Sequence, residues 1–442
     1  MKQTLSHRSI DFIRNTLGTI IAKIALVVLR IGLSVVTARF LGPAGRGIYY
    51  GVMQLSGTAS TLGTLSIGES LVYAVNTGRL KHVNILGTVL TFILLCVSTV
   101  WLGLFILYPF LECTVLRDIP SGLNVFVFLL VPLLFIEYFS SASLRALKLF
   151  KAVNVLNVLS RVMQLVFIFS AMIFVLADVA TALKAFCVSM VACSAIYLYY
   201  LYRSSLKSIS PDLSAIIPAA RYGCANHVGM MLSEMEYRLD IFLLLYFLSP
   251  REVGVYSIGV TLAQFLWYIT NSFNNVLFPE ITTGDQDYSG NIIKKVFRFI
   301  LVASIAAGVG LVVLGYPLVW VLYGKEFIAS YFIFLILLPG LIGDAVSRML
   351  GSWVKAIGLP VVLSYVSAFT LIINFGLNYL LIPRYGMYGA AMSSLISYTI
   401  HASILTYYYC LKTEIKFLAL VRYKHNDISL IKRLSYSLYN PK

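Results

Sequence analysis

At 442 residues, with 59% hydrophobic and only 12% charged side chains and a mean hydropathy of +0.87, the chain lies far from soluble globular composition and reads as an integral membrane protein. Apolar segments of roughly 20 residues recur from end to end, which excludes a β-barrel built from alternating segments of roughly ten. The formal charge of +16 is assigned to topology or to nucleic acid by where the basic residues fall.

In chain order, the first apolar stretch follows "MKQTLSHRSIDFIRN", runs beyond a signal-peptide core and carries Lys23 and Arg30, so no cleavable signal is expected. Twelve helices are predicted, over 15–41, 47–77, 84–108, 123–144, 153–176, 180–202, 219–248, 253–278, 296–320, 329–350, 361–382 and 386–410. Between the first two lies "ARFLGPAGRGIYYG" (38–51), and between the seventh and eighth lies "YFLSPREVGVYSIG" (246–259). In each, a proline that cannot continue a helix, glycines that allow a tight reversal and an interfacial tyrosine predict a short outer turn.

Of the 34 Lys and Arg, 23 fall on segments that are cytoplasmic if the N-terminus is inside, seven on the outer side, and Lys23, Arg30, Arg161 and Arg238 within the membrane. This asymmetry follows the positive-inside rule and predicts both termini in the cytoplasm. Nucleic-acid binding is thereby set aside.

One shift of 207 residues pairs Arg14 with Arg221, Phe40 with Phe247, Pro43 with Pro250, Gly47 with Gly254, Tyr49 with Tyr256, Pro132 with Pro339, Glu137 with Asp344 and Lys148 with Lys355. The predicted organisation is a six-helix half at 1–202, a cytoplasmic linker at 203–218, a second half at 219–410 and a basic tail at 411–442. Six is even, so the halves form a parallel repeat about an axis along the membrane normal, with a substrate site between them.

A charge within the bilayer costs about 2.5–3.5 kcal/mol even on the lenient insertion scale, so each needs a partner, a cavity or a substrate. Lys23 and Arg30 are seven apart, on one helix face and about 10 Å from each other. No acid lies within four residues of either. They suit an anion; the alternative is pairing with Glu69, Glu137 or an acid of the seventh helix. That helix reads "YGCANHVGMMLSEMEYRLD", where Glu234 and Arg238 are placed to pair and Glu236 and Asp240 form an acidic stripe. Glu234, Glu236, Asp240 and Glu69 are candidates for a coupling proton or Na⁺, with His227 nearby, or alternatively for a structural ion-pair cluster. Arg161 is placed either toward a cationic cavity or to snorkel, and Glu137 and Asp344 to cap or to pair with Arg145 and Arg348.

The six cysteines include no CxxC pair and read as apolar filler. His401 reads as a core histidine, because no ligand at metal spacing accompanies it. Gly57, Gly63 and Gly68 read as close-packing positions. No Walker A, GxSxG or HExxH motif is present, no cofactor beyond a coupling ion is expected, and the chain does not read as an enzyme.

"TARFLGPAGRGIYY", "LSIGESLVYAVNTGR" and "LIPRYGMYGAAMSSLISY" resemble the bacterial polysaccharide transporter family, the Wzx-type O-antigen and exopolysaccharide flippases of the multidrug/oligosaccharidyl-lipid/polysaccharide exporter superfamily. The resemblance implies an all-α, V-shaped pair of six-helix bundles. It implies transport of undecaprenyl-diphosphate-linked oligosaccharide across the bacterial inner membrane by ion-driven alternating access, alongside other polysaccharide assembly proteins. Some relatives have fourteen helices; the tail here is too short for two more, and its mixture of basic and apolar residues suits an interfacial helix. Against this stand a multidrug antiporter of the same superfamily, which the basic residues of the first helix disfavour, and a membrane-embedded sugar polymerase or acyltransferase, which the internal repeat and short outer loops disfavour.

Overall fold

A computed structural model describes the backbone at 2–77, 84–205, 209–212, 227–283 and 286–422, and the side chains over the same ranges except 2–17, 19, 20, 73, 268–283 and 286–292. Among these residues the chain is all-helical. The helices are α1 (Lys2–Gly63), α2 (Ile67–Asn76), α3 (Ile85–Cys113), α4 (Val125–Ala146), α5 (Phe150–Phe174), α6 (Val179–Ser204), α7 (227–236), α8 (Leu239–Phe247), α9 (Pro250–Thr283), α10 (Gln286–Leu322), α11 (Ala329–Ala356), α12 (Pro360–Tyr385), α13 (Met387–Thr413) and α14 (Phe417–Val421). Eight are long and apolar enough to cross a membrane. The polar face of α13, with Ser393, Ser394, Ser397, Tyr398 and His401 all buried, dilutes its hydropathy. On α3, Leu94, Trp101, Leu102, Phe105, Ile106 and Phe110 are exposed, an apolar surface that only lipid covers well. The protein is multi-pass.

The chain forms two compact units, one of residues 1–231 with 249–254, the other of 232–248 with 255–442. In the first, α1 packs on α5 and α4, α5 on α6, and α4 on α2, α3 and α6, around fully buried Phe135 and Phe139. In the second, α11 and α12 pack on α13 and α10 on α11, with Ile300, Met349, Leu350, Val354 and Tyr409 in the core. Arg298, itself buried, donates to the carbonyls of Ala419 at 2.7 Å and Leu420 at 3.0 Å, fastening α14 to this core. The predicted tail beyond 422, most of the predicted linker, and the Arg14–Arg221 correspondence lie outside the described residues or side chains.

Each unit repeats one succession: a 3₁₀ turn (Ser121–Leu123; Lys325–Phe327) followed by three long helices, α4 to α6 and α11 to α13. The shift is not constant, however. α11 has 28 residues against 22 in α4, so a gapless 207 aligns the turns and the later helices only approximately.

The two proline-bearing segments are tighter than the predicted turns. Only Gly42 departs from helical geometry in the first (φ 63°, ψ −178°), and residues 43–47 are already helical. Pro43 and Pro250 follow the break directly, where a missing N–H costs nothing. The segments meet reciprocally within the first unit: a Cβ on Gly47 would lie 1.7 Å from the Pro250 carbonyl oxygen, and one on Gly254 2.0 Å from that of Pro43. Each glycine is there because the opposite backbone occupies the space of its side chain.

By contrast a Cβ on Gly57 meets nothing within 4 Å. Gly47→Ala is therefore expected to lower the thermal midpoint of the detergent-purified protein, since overpacking costs about 1–3 kcal/mol. Gly57→Ala should leave it unchanged or raise it, by up to about 1 kcal/mol of helix propensity. Equal midpoints for the two variants would deny the close approach. Gly63 and Gly68 behave as predicted, their Cβ positions lying 2.1 Å from Val100 Cγ2 and 2.7 Å from Tyr138 Oη.

The predicted helix 47–77 is broken. Leu65 and Ser66 adopt φ of 48° and 52°, a conformation costly for side chains of this kind. The freed Leu62 carbonyl is satisfied by His227 Nε2 at 2.6 Å. His227 thus serves α1, with Ser66 Oγ 3.4 Å from its other nitrogen.

Candidate functional site

The predicted helix 219–248 is also interrupted, at Tyr237 and Arg238, and the break separates the two acids that sequence placed on one stripe. Glu236 ends α7 and Asp240 lies in the first turn of α8, where a carboxylate suits the helix dipole. Both are buried within the second unit, and they find different partners.

Glu236 is held from α12 and α13. Thr370 Oγ1 is 2.7 Å from its Oε1, and His401 Nδ1 is 2.9 Å from Oε1 and 3.1 Å from Oε2. Asp240 accepts from the Tyr256 hydroxyl at 2.5 Å, the Ile241 amide at 2.8 Å and Ser394 Oγ at 3.4 Å. The break residue itself is anchored, because Tyr237 Oη donates to Asp344 Oδ1 at 2.8 Å. Arg348 Nε reaches Asp344 Oδ2 at 2.7 Å, and its guanidinium lies 4.4 Å from the ring centroids of both Tyr237 and Trp267.

A polar stripe completes the region. Ser367, Thr370, Asn374 and Asn378 occupy one buried face of α12. Asn374 donates to Ser397 Oγ at 3.0 Å, and Asn378 to Asn374 Oδ1 at 2.8 Å. Two carboxylates, an imidazole and a row of hydroxyls and amides are thus buried together beside a broken helix within the second unit.

The remaining predicted residues make other contacts. Glu234 pairs with Arg238 on the half-buried side of the break. Lys23 and Arg30 are exposed on α1, in the first unit, within a span of mean hydropathy 2.0. Arg161 donates to Gln164 Oε1 at 2.7 Å, and Glu69 is exposed in the first turn of α2. Arg145 donates to Ser141 Oγ, and Glu137 accepts from Ser160, whereas Asp344 and Arg348 pair as the sequence allowed. Sequence reasoning missed Thr370, Tyr256, Ser394 and Trp267. The spacing of Ser367, Thr370, Asn374 and Asn378, three, four and four residues apart inside an apolar span, was a signal that could have found the first of them.

Residues 12–284 match the family described as Polysaccharide biosynthesis protein. The chain is 21% identical over 183 residues to the "Probable low-salt glycan biosynthesis flippase Agl15" of Haloferax volcanii, covering 40% of this chain and 39% of that protein. It is 27% identical over 214 residues to the "Probable flippase AglR" of the same organism, covering 46% and 44%. To the "Capsular polysaccharide biosynthesis protein CapF" of Staphylococcus aureus it is 29% identical over 168 residues, covering 36% and 42%. The matches thus span about two fifths of these relatives' length. Among solved structures, lipid II flippase MurJ in an inward closed conformation superimposes with a TM-score of 0.73 at 14% identity, covering 95% of this chain and 96% of that one. An inward-facing multidrug resistance MATE family transporter of the MOP superfamily gives 0.70 at 14% identity, covering 88% and 94%. These two likenesses establish the fold, and the match across 12–284 establishes the family: the chain belongs to the polysaccharide biosynthesis protein family.

Proposed function

We propose that this protein is a flippase, with no catalytic chemistry of its own, that moves undecaprenyl-diphosphate-linked oligosaccharide units across a bacterial inner membrane. Two six-helix halves alternate access to a cavity on the axis between them, and an ion gradient drives the cycle. Both termini lie in the cytoplasm, and the saccharide serves O-antigen, capsule or exopolysaccharide assembly. The family membership and the names of the relatives support transport of a lipid-linked glycan.

The observation that carries the reading is the exposure of Lys23 and Arg30 on one face of an apolar span. Two basic groups on such a span offer an anionic diphosphate what lipid cannot. Arg161 and Arg238 are placed second, because each is half-buried.

Deleting the gene is expected to remove surface polysaccharide and to accumulate the prenyl-linked units on the cytoplasmic side, read by mass spectrometry of extracted lipids. Unchanged polysaccharide with altered drug susceptibility would point to a multidrug antiporter, and prenyl-linked units accumulating on the outer side to a polymerase.

Topology has its own test. Ala44 and Arg251 are both exposed. Cysteine at either is expected to react with a membrane-impermeant thiol reagent added to intact spheroplasts, and reaction only after lysis would reverse the orientation.

A further inference from the structure

We propose that Glu236 and His401 together form the proton-carrying site of the transport cycle, with His401 Nε2 as the atom that gains and loses the proton and Glu236 as its fixed counter-ion. This deepens the reading above and rests on it: the driving ion is H⁺, and the pair is where it binds.

The hydrogen bonds assign the roles. A neutral imidazole has one N–H, and a ring nitrogen 2.9 Å and 3.1 Å from the two oxygens of an ionised carboxylate must be the one that carries it. Nδ1 is therefore the permanent donor, and the lone pair is on Nε2. Thr370 Oγ1, at 2.7 Å, donates to the same carboxylate and keeps it in place. Burial gives the direction of access: the Glu236 side chain is 1% exposed and that of His401 11%. The imidazole is the more accessible of the two groups, so an arriving proton meets it before the carboxylate. It adds to the Nε2 lone pair with no bond broken in the protein, taking the pair from a net charge of −1 to zero, and it returns to water by the reverse step.

The same contacts disfavour a metal cation. The oxygens of Glu236 already face an N–H and an O–H, and each donor turns its positive end toward the space a cation would occupy. Among the described residues no group of three His, Cys, Asp or Glu is arranged to hold a metal ion.

The charged surroundings leave the pair as the variable element. α7 contributes Glu236 itself, α11 contributes Asp344 and Arg348, which neutralise each other at 2.7 Å, and α12 contributes only the neutral Thr370. α8 contributes Asp240, held by Tyr256 and Ser394, and the phenols of Tyr237 and Tyr398 also face Glu236. Glu236 is the last residue of α7 before the break at 237. A net charge appearing there inside the membrane costs kilocalories, and the nearest joint in the backbone is the one that can respond to it.

The test uses full-length protein carrying ¹⁵N-labelled histidine, reconstituted in liposomes and followed by nitrogen NMR, with the His401 signals identified by their loss in His401→Gln. His401 Nε2 is expected to gain and lose a proton within the pH window over which the reconstituted protein stays folded, with a midpoint unmoved when Na⁺ replaces K⁺. In Glu236→Gln, which keeps the shape and one acceptor, the midpoint should fall by about one pH unit or more, a tenfold loss of proton affinity. No titration in that window, a midpoint unchanged in Glu236→Gln, or a midpoint displaced by Na⁺ would each overturn the assignment. The wild-type titration alone decides if the variant does not fold. No saccharide is needed, so the result is independent of the gene-deletion test of the flippase reading.

Discussion

Replacing Lys23 or Arg30 with Gln is expected to abolish or severely reduce surface polysaccharide in a complemented deletion strain while the protein stays at its normal level in the membrane. Both side chains are exposed on a span of high hydropathy, and the proposed function assigns their charge to the diphosphate. Arg30→Lys should retain more function than Arg30→Gln, because charge is kept while the bidentate fork for a diphosphate is lost. An acid at either position should be worse than Gln, since it repels the head group as well as losing the contact.

A purely structural role gives another pattern. The Gln variants would then be poorly expressed, because a partner carboxylate is left in the membrane without its cation, and removing that carboxylate as well would restore the level. Normal polysaccharide from the Lys23→Gln, Arg30→Gln double variant at normal abundance would end the cationic assignment.

What sequence could convey about this molecule divides along a physical line. Composition and apolar run length report the solvent of each helix, so the membrane class and the positions of α3 to α6, α12 and α13 were legible to within a few residues, whereas α10 begins well before its predicted start at 296 and α11 runs on past its predicted end at 350. The breaks were not. Helix 47–77 is interrupted at Thr64 to Ser66 and helix 219–248 at Tyr237 and Arg238, and neither site carries a proline. The backbone groups freed there are satisfied by residues distant in sequence, His227 for Leu62 among them, and a periodicity argument has no access to such partners.

The same limit applies to chemistry. Glu236 and Asp240 were legible as costly charges, and the i, i+4 pairing of Glu234 with Arg238 followed from helix geometry. The partner of Glu236 lies 165 positions away on α13. His401 read as a core histidine because sequence shows only its neighbours on its own helix. It is indeed buried, and what sequence could not supply is the carboxylate beside it.

Asp344→Ala is expected to be the most damaging single change to stability in the second unit. The Asp344 side chain is 1% exposed and that of Arg348 22%. Removing the carboxylate takes from a guanidinium held between two aromatic rings its ion-pair partner and from the Tyr237 hydroxyl its acceptor. Breaking a buried pair from one side costs about 3–5 kcal/mol, a large share of the roughly 5–15 kcal/mol that hold a domain folded. The expected result is a sharp fall in membrane-inserted protein and a thermal midpoint far below wild type, read by fluorescence-detected size exclusion. Replacing both partners, as Asp344→Leu with Arg348→Met, should recover much of the level, because no charge is then stranded. It should not recover transport, since Tyr237 would still lack its anchor at the break. The exposed Arg117–Asp118 pair, 54% and 38% accessible, provides the comparison: Asp118→Ala should leave the midpoint where it was, because exposed pairs contribute little. A wild-type midpoint for Asp344→Ala would mean that water reaches Arg348 freely and that the break at Tyr237 is held by something other than α11.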